Sequence, residues 1–310
     1  MAGNAVVLKP DSATPFTALA VHSLLRRAGA DPDLLQVVTG PGAALGESLI
    51  DAVDALMFTG SSATGSAVAS RAGARLIPVS AELGGKNPLI VRADAPVART
   101  VRGAVGACFS NAGQLCVSIE RVYVHEAVWD RFVPAFVRAT RALRVGAAMG
   151  WGADMGPLIS PEHLAKVAAH VSDAVAKGAT VLTGGRALPE LSPTAYAPTL
   201  LTGVTEDMDL HAAETFGPVA CLYRMSGDEE AVRLANASPY GLNASVWTAD
   251  RHAGAELAGR IRAGTVNVNE GYAAAWGSTA APMGGMGASG LGRRHGVEAP
   301  GGVTDLDTGP

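Results

Sequence analysis

The sequence predicts an α/β protein whose first part is built from parallel βαβ units. A short β-branched run, a Gly or Pro turn and a helical stretch follow one another three times before residue 75. Apolar residues make up 48% of the 310 positions and glycine occupies 38 of them, which is typical of loop-rich α/β enzymes. A chain of this length can bury a large core and hold two domains.

The three strands of this first part are expected to be buried and to pair in parallel, with right-handed crossovers. Ligands of such sheets bind beyond the carboxyl ends of the strands. Lys9, Gly42, Gly46 and Gly60 all follow predicted strand ends. The predicted strands cover 5–8, 35–38 and 55–58, and the predicted helices cover 14–28, 43–51 and 62–72.

A second α/β region is predicted after Glu82. A strand over 87–91 is followed by a helix over 94–110 that runs into a cysteine loop, and strands and helices then alternate to about Asn269. We therefore expect a partial dinucleotide-binding domain over 1–83 and a catalytic thiol domain over 84–284, with the reaction in the cleft between them. Residues 285–310 are expected to form a Gly-rich segment and a disordered tail.

Charge and cysteine usage argue against several classes of protein. The net charge is −4 and the basic residues are scattered, which argues against a nucleic-acid partner. The three cysteines, Cys108, Cys116 and Cys221, form no Cys-x-x-Cys pair and no His stands at metal-ligand spacing, so neither disulfides nor a metal site are expected. A reduced, cytoplasmic location is expected, with no signal peptide or membrane span.

Cys116 and Glu82 carry the strongest indication of function. Cys116 lies in the small-residue run NAGQLCVS, and Glu82 opens the Gly-rich run ELGGKNP earlier in the chain. A thiol and a carboxylate in two such loops supply a nucleophile and a general base, which together support covalent chemistry at a carbonyl carbon. The pair predicts an enzyme.

Six motifs in order resemble the aldehyde dehydrogenase superfamily, and most closely its succinate-semialdehyde dehydrogenase branch. The resemblance covers nearly all of the chain and implies an aldehyde dehydrogenase-like fold with a Rossmann-like cofactor domain. It also implies that an aldehyde, specifically succinate semialdehyde, is oxidised to the acid with NAD(P)+. The motifs are GNAVVLKP (3–10), FTGS (58–61), ELGGKNP (82–88), NAGQLCVS (111–118), ETFGP (214–218) and PMGGMG with SGLGR (282–293).

The resemblance gives Cys116 and Glu82 their roles. Cys116 would attack the aldehyde as a thiolate and pass through a thiohemiacetal to a thioester, which requires a depressed pKa and partial exposure. Glu82 would activate the hydrolytic water, and its apolar neighbours in sequence predict surroundings poor in charge and a raised pKa. The alternatives are a buried structural cysteine and a solvated carboxylate; for Cys108 and Cys221 the structural interpretation is preferred.

The expected cofactor site begins where the third strand ends. Thr59, Gly60 and Ser61 stand between a strand and a helix, whose backbone amides and dipole can receive a pyrophosphate. Gly42 and Gly46 would allow close approach at the adenine end, although either can be a turn glycine.

Lys9 and Ser12 bear on which nicotinamide cofactor is bound. The resemblance implies that Lys9 binds the adenosine ribose or its 2′-phosphate. NAD-preferring relatives tend to carry Glu three positions later, where this chain has the uncharged Ser12, so NADP is expected, with NAD as the alternative. Glu214 and Phe216 would hold the nicotinamide ribose and ring. The loop over 282–293 is left out of the predicted site.

Three departures from the family pattern stand out. The long portion that precedes GNAVVLKP in relatives, including an Asn of the oxyanion hole, has no counterpart here. Ser110 stands where semialdehyde dehydrogenases often carry an Arg for the distal carboxylate. The family is usually homo-oligomeric, but the strand that pairs with a partner subunit is not recognisable near the end of this sequence. A small-molecule aldehyde is therefore the one partner predicted.

Two alternatives to an aldehyde dehydrogenase stay open. The first is a truncated, catalytically silent chain that keeps the fold, with an uncovered sheet flank and without an oxyanion donor that typically contributes about 10² to 10³ in rate. The second is a Cys–Glu pair that hydrolyses activated esters with no hydride acceptor. An ester burst that titrates Cys116 without nicotinamide would favour the second.

Overall fold

The protein folds into an α/β structure with one large sheet and three smaller ones, as the sequence predicts. The structure is a computed structural model and describes residues 3–148 and 150–295. The large sheet has seven strands, which lie in the order Thr265–Val268, Asn243–Trp247, Asn87–Val91, Ile119–His125, Val219–Met225, Thr199–Thr202 and Thr180–Thr183. Neighbouring strands of this sheet are parallel, except that the last two pair antiparallel. Within the described residues no helix is long and apolar enough to cross a membrane.

The first part of the chain follows the predicted alternation of strand and helix. β1 pairs with β2 in parallel, and β3 pairs with β4 in parallel so that Thr59 lies opposite Glu82. The elements are β1 (Val6–Leu8), α1 (Phe16–Arg27), β2 (Leu35–Val37), α2 (Gly42–Asp51), β3 (Leu56–Thr59), α3 (Ser62–Ala74) and β4 (Val79–Glu82).

The prediction that the first strands are buried is wrong. All three residues of β1 are exposed, with Val6 at 48%, and β3 alternates between exposed and half-buried positions. Helix α1 buries none of its residues. A two-stranded sheet beside one helix cannot shield both of its faces, so apolar side chains remain accessible in the part of the chain that the structure describes.

The second part forms the large sheet and its helices. Strand β5 is buried along its whole length, as expected of a central parallel strand covered on both faces. The elements are β5 (Asn87–Val91), α4 (Val97–Phe109), a 3₁₀ turn (Ser110–Gly113), β6 (Ile119–His125), α5 (Glu126–Arg141), α6 (Pro161–Ala176), β7 (Thr180–Thr183), β8 (Thr199–Thr202), α7 (Asp209–Ala212), β9 (Val219–Met225), α8 (Asp228–Asn236), β10 (Tyr240–Gly241), β11 (Asn243–Trp247), α9 (Arg251–Ala258), β12 (Thr265–Val268), α10 (Ala273–Gly277), β13 (Met286–Gly287) and β14 (Gly290–Leu291).

Helices α4 and α5 pack their apolar faces into the main core. In α5, Val128, Phe132 and Phe136 recur at four-residue spacing and are all buried. The rings of Phe132 and Phe136 lie 5.4 Å apart between centroids, a favourable tilted contact. This core fixes the end of α4 and therefore the loop that carries Cys116.

The Gly-rich segment near the end of the described chain contributes one strand to each of two smaller sheets. β13 pairs antiparallel with β10, and β14 pairs antiparallel with β4, placing Gly290 opposite Glu82. The predicted division at residues 83 and 84 falls between β4 of the three-stranded sheet and β5 of the large sheet; the division into domains stays a prediction. The predicted disordered tail lies outside the described residues, which end at His295.

Candidate active site

The cysteine loop has an unusual backbone that its sequence explains. Asn111, Ala112 and Gly113 have φ values of 52°, 55° and 71°, so three consecutive residues are left-handed. A Cβ on Gly113 would lie 2.1 Å from the carbonyl oxygen of Gly217, so only glycine fits there. Asn111 and Gln114 each donate a side-chain amide hydrogen bond to the other's carbonyl. Such local strain is common where a loop must present a reactive group.

Two buried asparagines hold the backbone of Cys116 and of the two residues that follow it. Asn87 Nδ2 donates to the carbonyls of Cys116 and Ser118, at 2.8 and 2.7 Å. Asn243 Nδ2 donates to the carbonyl of Val117 at 3.0 Å, and the backbone amide of Asn243 donates to Asn87 Oδ1. Sequence reasoning missed both as site residues; the position of Asn87 inside ELGGKNP was the available signal.

The Cys116 thiol is half-buried, as its proposed role requires, but its pKa contradicts the prediction. It packs beside an apolar cluster that includes Val117, Leu242 and Met283. Burial, followed by the charges of Glu82 and Glu214, raises the pKa of Cys116 to about 11. The expected depression is therefore wrong, because two carboxylates lie near the thiol and its loop leads into strand β6 rather than a helix N-terminus.

Glu82 ends strand β4 and is only 5% exposed. Burial raises its pKa, in the direction expected for a general base, while Arg294, Arg293 and His295 oppose that rise. The expectation of surroundings poor in charge is therefore wrong. The cations come from the segment around β14, which pairs with β4 from more than 200 residues further along the chain. The loop over 282–293, which was left out of the predicted site, thus runs directly beside Glu82.

Glu214 joins the same site through the Gly-rich turn after β4. Its Oε1 accepts a hydrogen bond from the amide of Gly85 at 2.8 Å. A Cβ on Gly85 would lie 2.7 Å from the carbonyl oxygen of Cys116, so this glycine lets the two loops meet. Burial raises the pKa of Glu214, and the Gly85 amide opposes the rise. The structure thus brings Cys116, Glu82 and Glu214 into one cluster.

A buried ion pair sets the backbone that carries Glu214 and Phe216. Lys86 Nζ lies 2.5 Å from Glu120 Oε2, with side-chain exposures of 1% and 4%, and it also donates to the carbonyl of Ala213. Glu120 in turn accepts from the amides of Thr215 and Phe216. Phe216 itself adopts a left-handed φ of 57°. Sequence reasoning missed this pair, for which Lys86 in ELGGKNP was the available signal.

The residues predicted to bind the cofactor form two groups at strand ends. Lys9 Nζ and Ser12 Oγ both donate to the carbonyl of Gly40, and a Cβ on Gly42 would lie 3.9 Å from Lys9 Cε. These residues lie at the carboxyl ends of β1 and β2. Gly46 lies within α2 with open space on its outer side.

The second group is at the end of β3. The Ser61 side chain caps α3 by accepting from the Thr64 amide at 3.2 Å. Gly60 donates its amide to the carbonyl of Glu82, and Thr59 Oγ1 accepts from Arg294 Nη2 at 3.3 Å. This group is therefore tied to the general-base candidate. No cluster of three or more His, Cys, Asp or Glu suited to a metal ion occurs among residues 3–148 and 150–295.

The aldehyde dehydrogenase family profile matches residues 1–307. The chain belongs to the aldehyde dehydrogenase family. It is 55% identical over 298 residues to a Mycobacterium ulcerans protein named putative succinate-semialdehyde dehydrogenase (NADP(+)) 2, covering 96% of this chain and 58% of that protein. It is 36% identical over 304 residues to a succinate semialdehyde dehydrogenase of Acinetobacter baylyi, covering 96% of this chain and 62% of that protein.

Solved aldehyde dehydrogenase structures show the same fold. The crystal structure of succinate-semialdehyde dehydrogenase from Burkholderia pseudomallei superposes with a TM-score of 0.91 at 39% identity, covering 97% of this chain and 62% of that one. The predicted fold class and the predicted family are therefore confirmed. This aldehyde dehydrogenase chain spans about three-fifths of the length of these relatives.

Proposed function

We propose that this aldehyde dehydrogenase chain oxidises an aldehyde, specifically succinate semialdehyde, to the carboxylic acid with NADP+. NAD+ is the alternative cofactor. The observation that carries the proposal is the cluster of Cys116 with Glu82 and Glu214, in which both carboxylates act on the pKa of the thiol. A nucleophile and a base on two loops that meet at Gly85 can form and then cleave an acyl intermediate.

The proposed chemistry starts with proton removal from Cys116. Because burial and carboxylates hold the thiol neutral, a base must take its proton as it attacks. Glu82 is the buried carboxylate suited to this. Attack of the Cys116 sulfur on the carbonyl carbon would give a thiohemiacetal, and loss of a hydride, for which a bound nicotinamide would be the acceptor, would leave a thioester. Once Glu82 has released the thiol proton to solvent, it would accept a proton from the water that cleaves the thioester, for which its raised pKa is favourable.

The chain's own residues fit a dinucleotide. The N-terminus of α3, capped by Ser61, would hold the pyrophosphate, because the first amides of a helix lack intrahelical partners. Lys9 and Ser12, which meet at Gly40, would hold the adenosine ribose and its 2′-phosphate. Glu214 and Phe216 would orient the nicotinamide ribose and ring. When bound, the nicotinamide supplies the hydride acceptor.

Substrate and cofactor preference rest on different support. Relatives carry succinate-semialdehyde dehydrogenase in their names, one of them with NADP(+). Ser12 supports NADP, because an uncharged hydroxyl does not repel a phosphate. Ser110, at the start of the 3₁₀ turn, provides no cation for the distal carboxylate. The substrate proposal therefore rests on the names of the relatives alone. The cofactor proposal rests on a relative's name and on Ser12.

The test is reduced-cofactor formation by the purified chain with succinate semialdehyde, using NAD+ and NADP+ separately. Turnover with NADP+ that disappears in Cys116→Ala supports the proposal. Turnover that persists in Cys116→Ala contradicts the role of this thiol. A folded chain with no turnover favours the catalytically silent alternative.

The ester-hydrolase alternative has a specific observation in its favour, since the Cys116 and Glu82 cluster needs no cofactor to form an acyl-enzyme. Its test is release of p-nitrophenol from p-nitrophenyl acetate without nucleotide. A burst equal to the Cys116 content followed by steady turnover would favour hydrolysis. A burst alone would show that the thiol is reactive and the thioester long-lived.

A further inference from the structure

Arg294 reaches Glu82 because the backbone of the Gly-rich segment places it there. Gly290 in β14 lies opposite Glu82 in β4. Met283 and Arg294 exchange two backbone hydrogen bonds of 2.6 Å, which close the segment into a hairpin. The backbone position of Arg294 is therefore fixed by its pairing with Met283.

The Arg294 guanidinium connects the end of β3 with the end of β4. Its Nη2 donates to the carbonyl of Phe58 and to Thr59 Oγ1, both at 3.3 Å. Its Nε lies 3.6 Å from Glu82 Oε1. The side chains are 27% and 6% exposed, so water screens this contact far less than a surface ion pair.

Each of these two side chains has a buried polar atom that is unsatisfied within the described residues. Arg294 Nε and Glu82 Oε2 have no hydrogen-bond partner there. Unpaired buried polar atoms are costly in a resting structure and are often found where a group must stay free to react. The guanidinium is anchored on one side and leaves a donor beside the carboxylate on the other.

We propose that Arg294 is the positioning residue of Glu82. It holds the carboxylate beside the end of β3 and keeps it ionised, so that its free oxygen can accept a proton from water. The inference rests on the proposed function of Glu82 as general base. A planar guanidinium can reach Phe58, Thr59 and Glu82 together, whereas the single ammonium of lysine keeps the charge without making all three contacts.

The charged groups around Glu82 set the sign of the expected effect. Arg294, Arg293 and His295 lower the pKa of Glu82, in that order, while Cys116 faces it from the other loop. Arg293 donates to the carbonyls of Gly285 and Gly292 rather than to the carboxylate. Removing Arg294 should therefore raise the pKa of Glu82, lower its ionised fraction at acidic pH and leave it ionised at alkaline pH.

The kinetic test follows hydrolysis of the acetyl-Cys116 intermediate formed from p-nitrophenyl acetate, as a function of pH. For Arg294→Leu we expect the rate at about pH 6 to fall roughly tenfold, with little change at about pH 9. Arg294→Lys should restore part of the acidic rate because it keeps the charge. Arg186→Leu, which removes an exposed arginine paired with Glu190, is the control. A profile of Arg294→Leu that superimposes on the wild type overturns the proposal.

A direct titration separates this inference from the proposed function. Infrared spectra of the chain labelled with ¹³C-carboxyl glutamate report the ionisation of Glu82, identified as the band lost in Glu82→Gln. A higher midpoint pH for the Glu82 titration in Arg294→Leu than in the wild type supports the inference, even if no acyl-enzyme forms. In that case the proposed function alone has failed. An unchanged midpoint overturns the inference. Where Arg294→Leu does not fold, Arg294→Gln gives the same comparison with a polar neutral side chain.

Discussion

At the scale of single residues, the Cys116 thiol has a raised pKa, so its proposed role as nucleophile depends on its location beside a base rather than on a resting thiolate. It is half-buried and lies near the carboxylates of Glu82 and Glu214, so its neutral form is favoured. A neutral thiol protects the resting protein from oxidation and alkylation, since the thiolate is the reactive form. Under the proposed function, Glu82 would provide the base that activates the thiol when an aldehyde is present.

The first prediction concerns the pH dependence of Cys116 alkylation. With iodoacetamide, the rate should rise toward a midpoint of about 11. Glu82→Gln removes a negative charge, so the thiol pKa should fall and alkylation at neutral pH should become several-fold faster. The measurement is labelling followed by mass spectrometry, with Cys116→Ala as control for Cys108 and Cys221. Unchanged labelling in Glu82→Gln would show that the two groups do not interact as described. Slower labelling would show that base assistance by Glu82 outweighs its effect on the thiol pKa.

The left-handed turn before Cys116 gives the second prediction. Gly113→Ala combines a φ of 71° with a Cβ placed 2.1 Å from a carbonyl oxygen, and should cost about 1–3 kcal/mol or more in the free energy of unfolding. Gly106→Ala is the matched control, because it lies in helix α4 with no atom within 4 Å of its Cβ. This control should be neutral or stabilising. Urea unfolding measures the free energy of unfolding of both variants. Equal stabilities would contradict the close approach of Gly113 to the Gly217 carbonyl.

At the scale of elements, the joint between β4 and β5 assembles the site. In the turn over 83–86, the Gly85 amide donates to Glu214 and Gly85 packs against the carbonyl of Cys116. The Lys86 side chain at the end of this turn pairs with Glu120. One short connection between two sheets thereby sets the relative positions of Glu82, Cys116 and the Glu214 loop. Gly85, Lys86 and Asn87 of ELGGKNP each make a contact within this site.

The third prediction tests the buried ion pair at this joint. Lys86→Met leaves Glu120 charged, buried and without its cation, which should cost about 3–5 kcal/mol in the free energy of unfolding. Lys177→Met is the control, since Lys177 pairs with Asp173 at the surface and its loss should change stability little. The two variants are compared by urea unfolding. Similar losses would mean that Lys86 does not hold the Glu120 network.

At the scale of the whole molecule, burial is uneven. The large sheet is covered on both faces, whereas α1 and β1 present apolar side chains to solvent, including Phe16 at 80% exposed. Leu24 and Val6 extend the same exposed apolar character. Monomeric proteins rarely leave large apolar patches uncovered. This region therefore contributes exposed apolar surface to the described chain.

The fourth prediction follows from that surface. The purified chain should bind the hydrophobic dye ANS and self-associate as its concentration rises, because association removes apolar area from water. Phe16→Ser combined with Leu24→Ser should reduce both effects while leaving the unfolding transition of the large sheet unchanged. Val128→Ser in the main core is the contrasting control and should destabilise that transition. Dye binding unaffected by the α1 substitutions would place the accessible apolar surface elsewhere.

Local patterns in the sequence determined much of this molecule. The alternation of strands and helices and their positions to within a few residues follow from periodicity and turn residues. The family, and the expectation that Cys116 and Glu82 act together, follow from the motifs and the resemblance that they carry. Each of these depends on residues close together in the chain or on a resemblance that the motifs carry. The raised pKa of Glu82 was likewise predictable from its apolar neighbours, although only in direction.

Tertiary structure alone decided the rest. The cations around Glu82 come from the β14 segment, and the anchor of the Cys116 backbone comes partly from Asn243, both far away in sequence. The exposure of β1 depends on what covers a sheet, which no strand encodes by itself. The pKa of Cys116 went opposite to expectation for the same reason. The pKa of a group depends on the burial and the charges contributed by every residue packed around it, whereas a sequence motif specifies only its own residues.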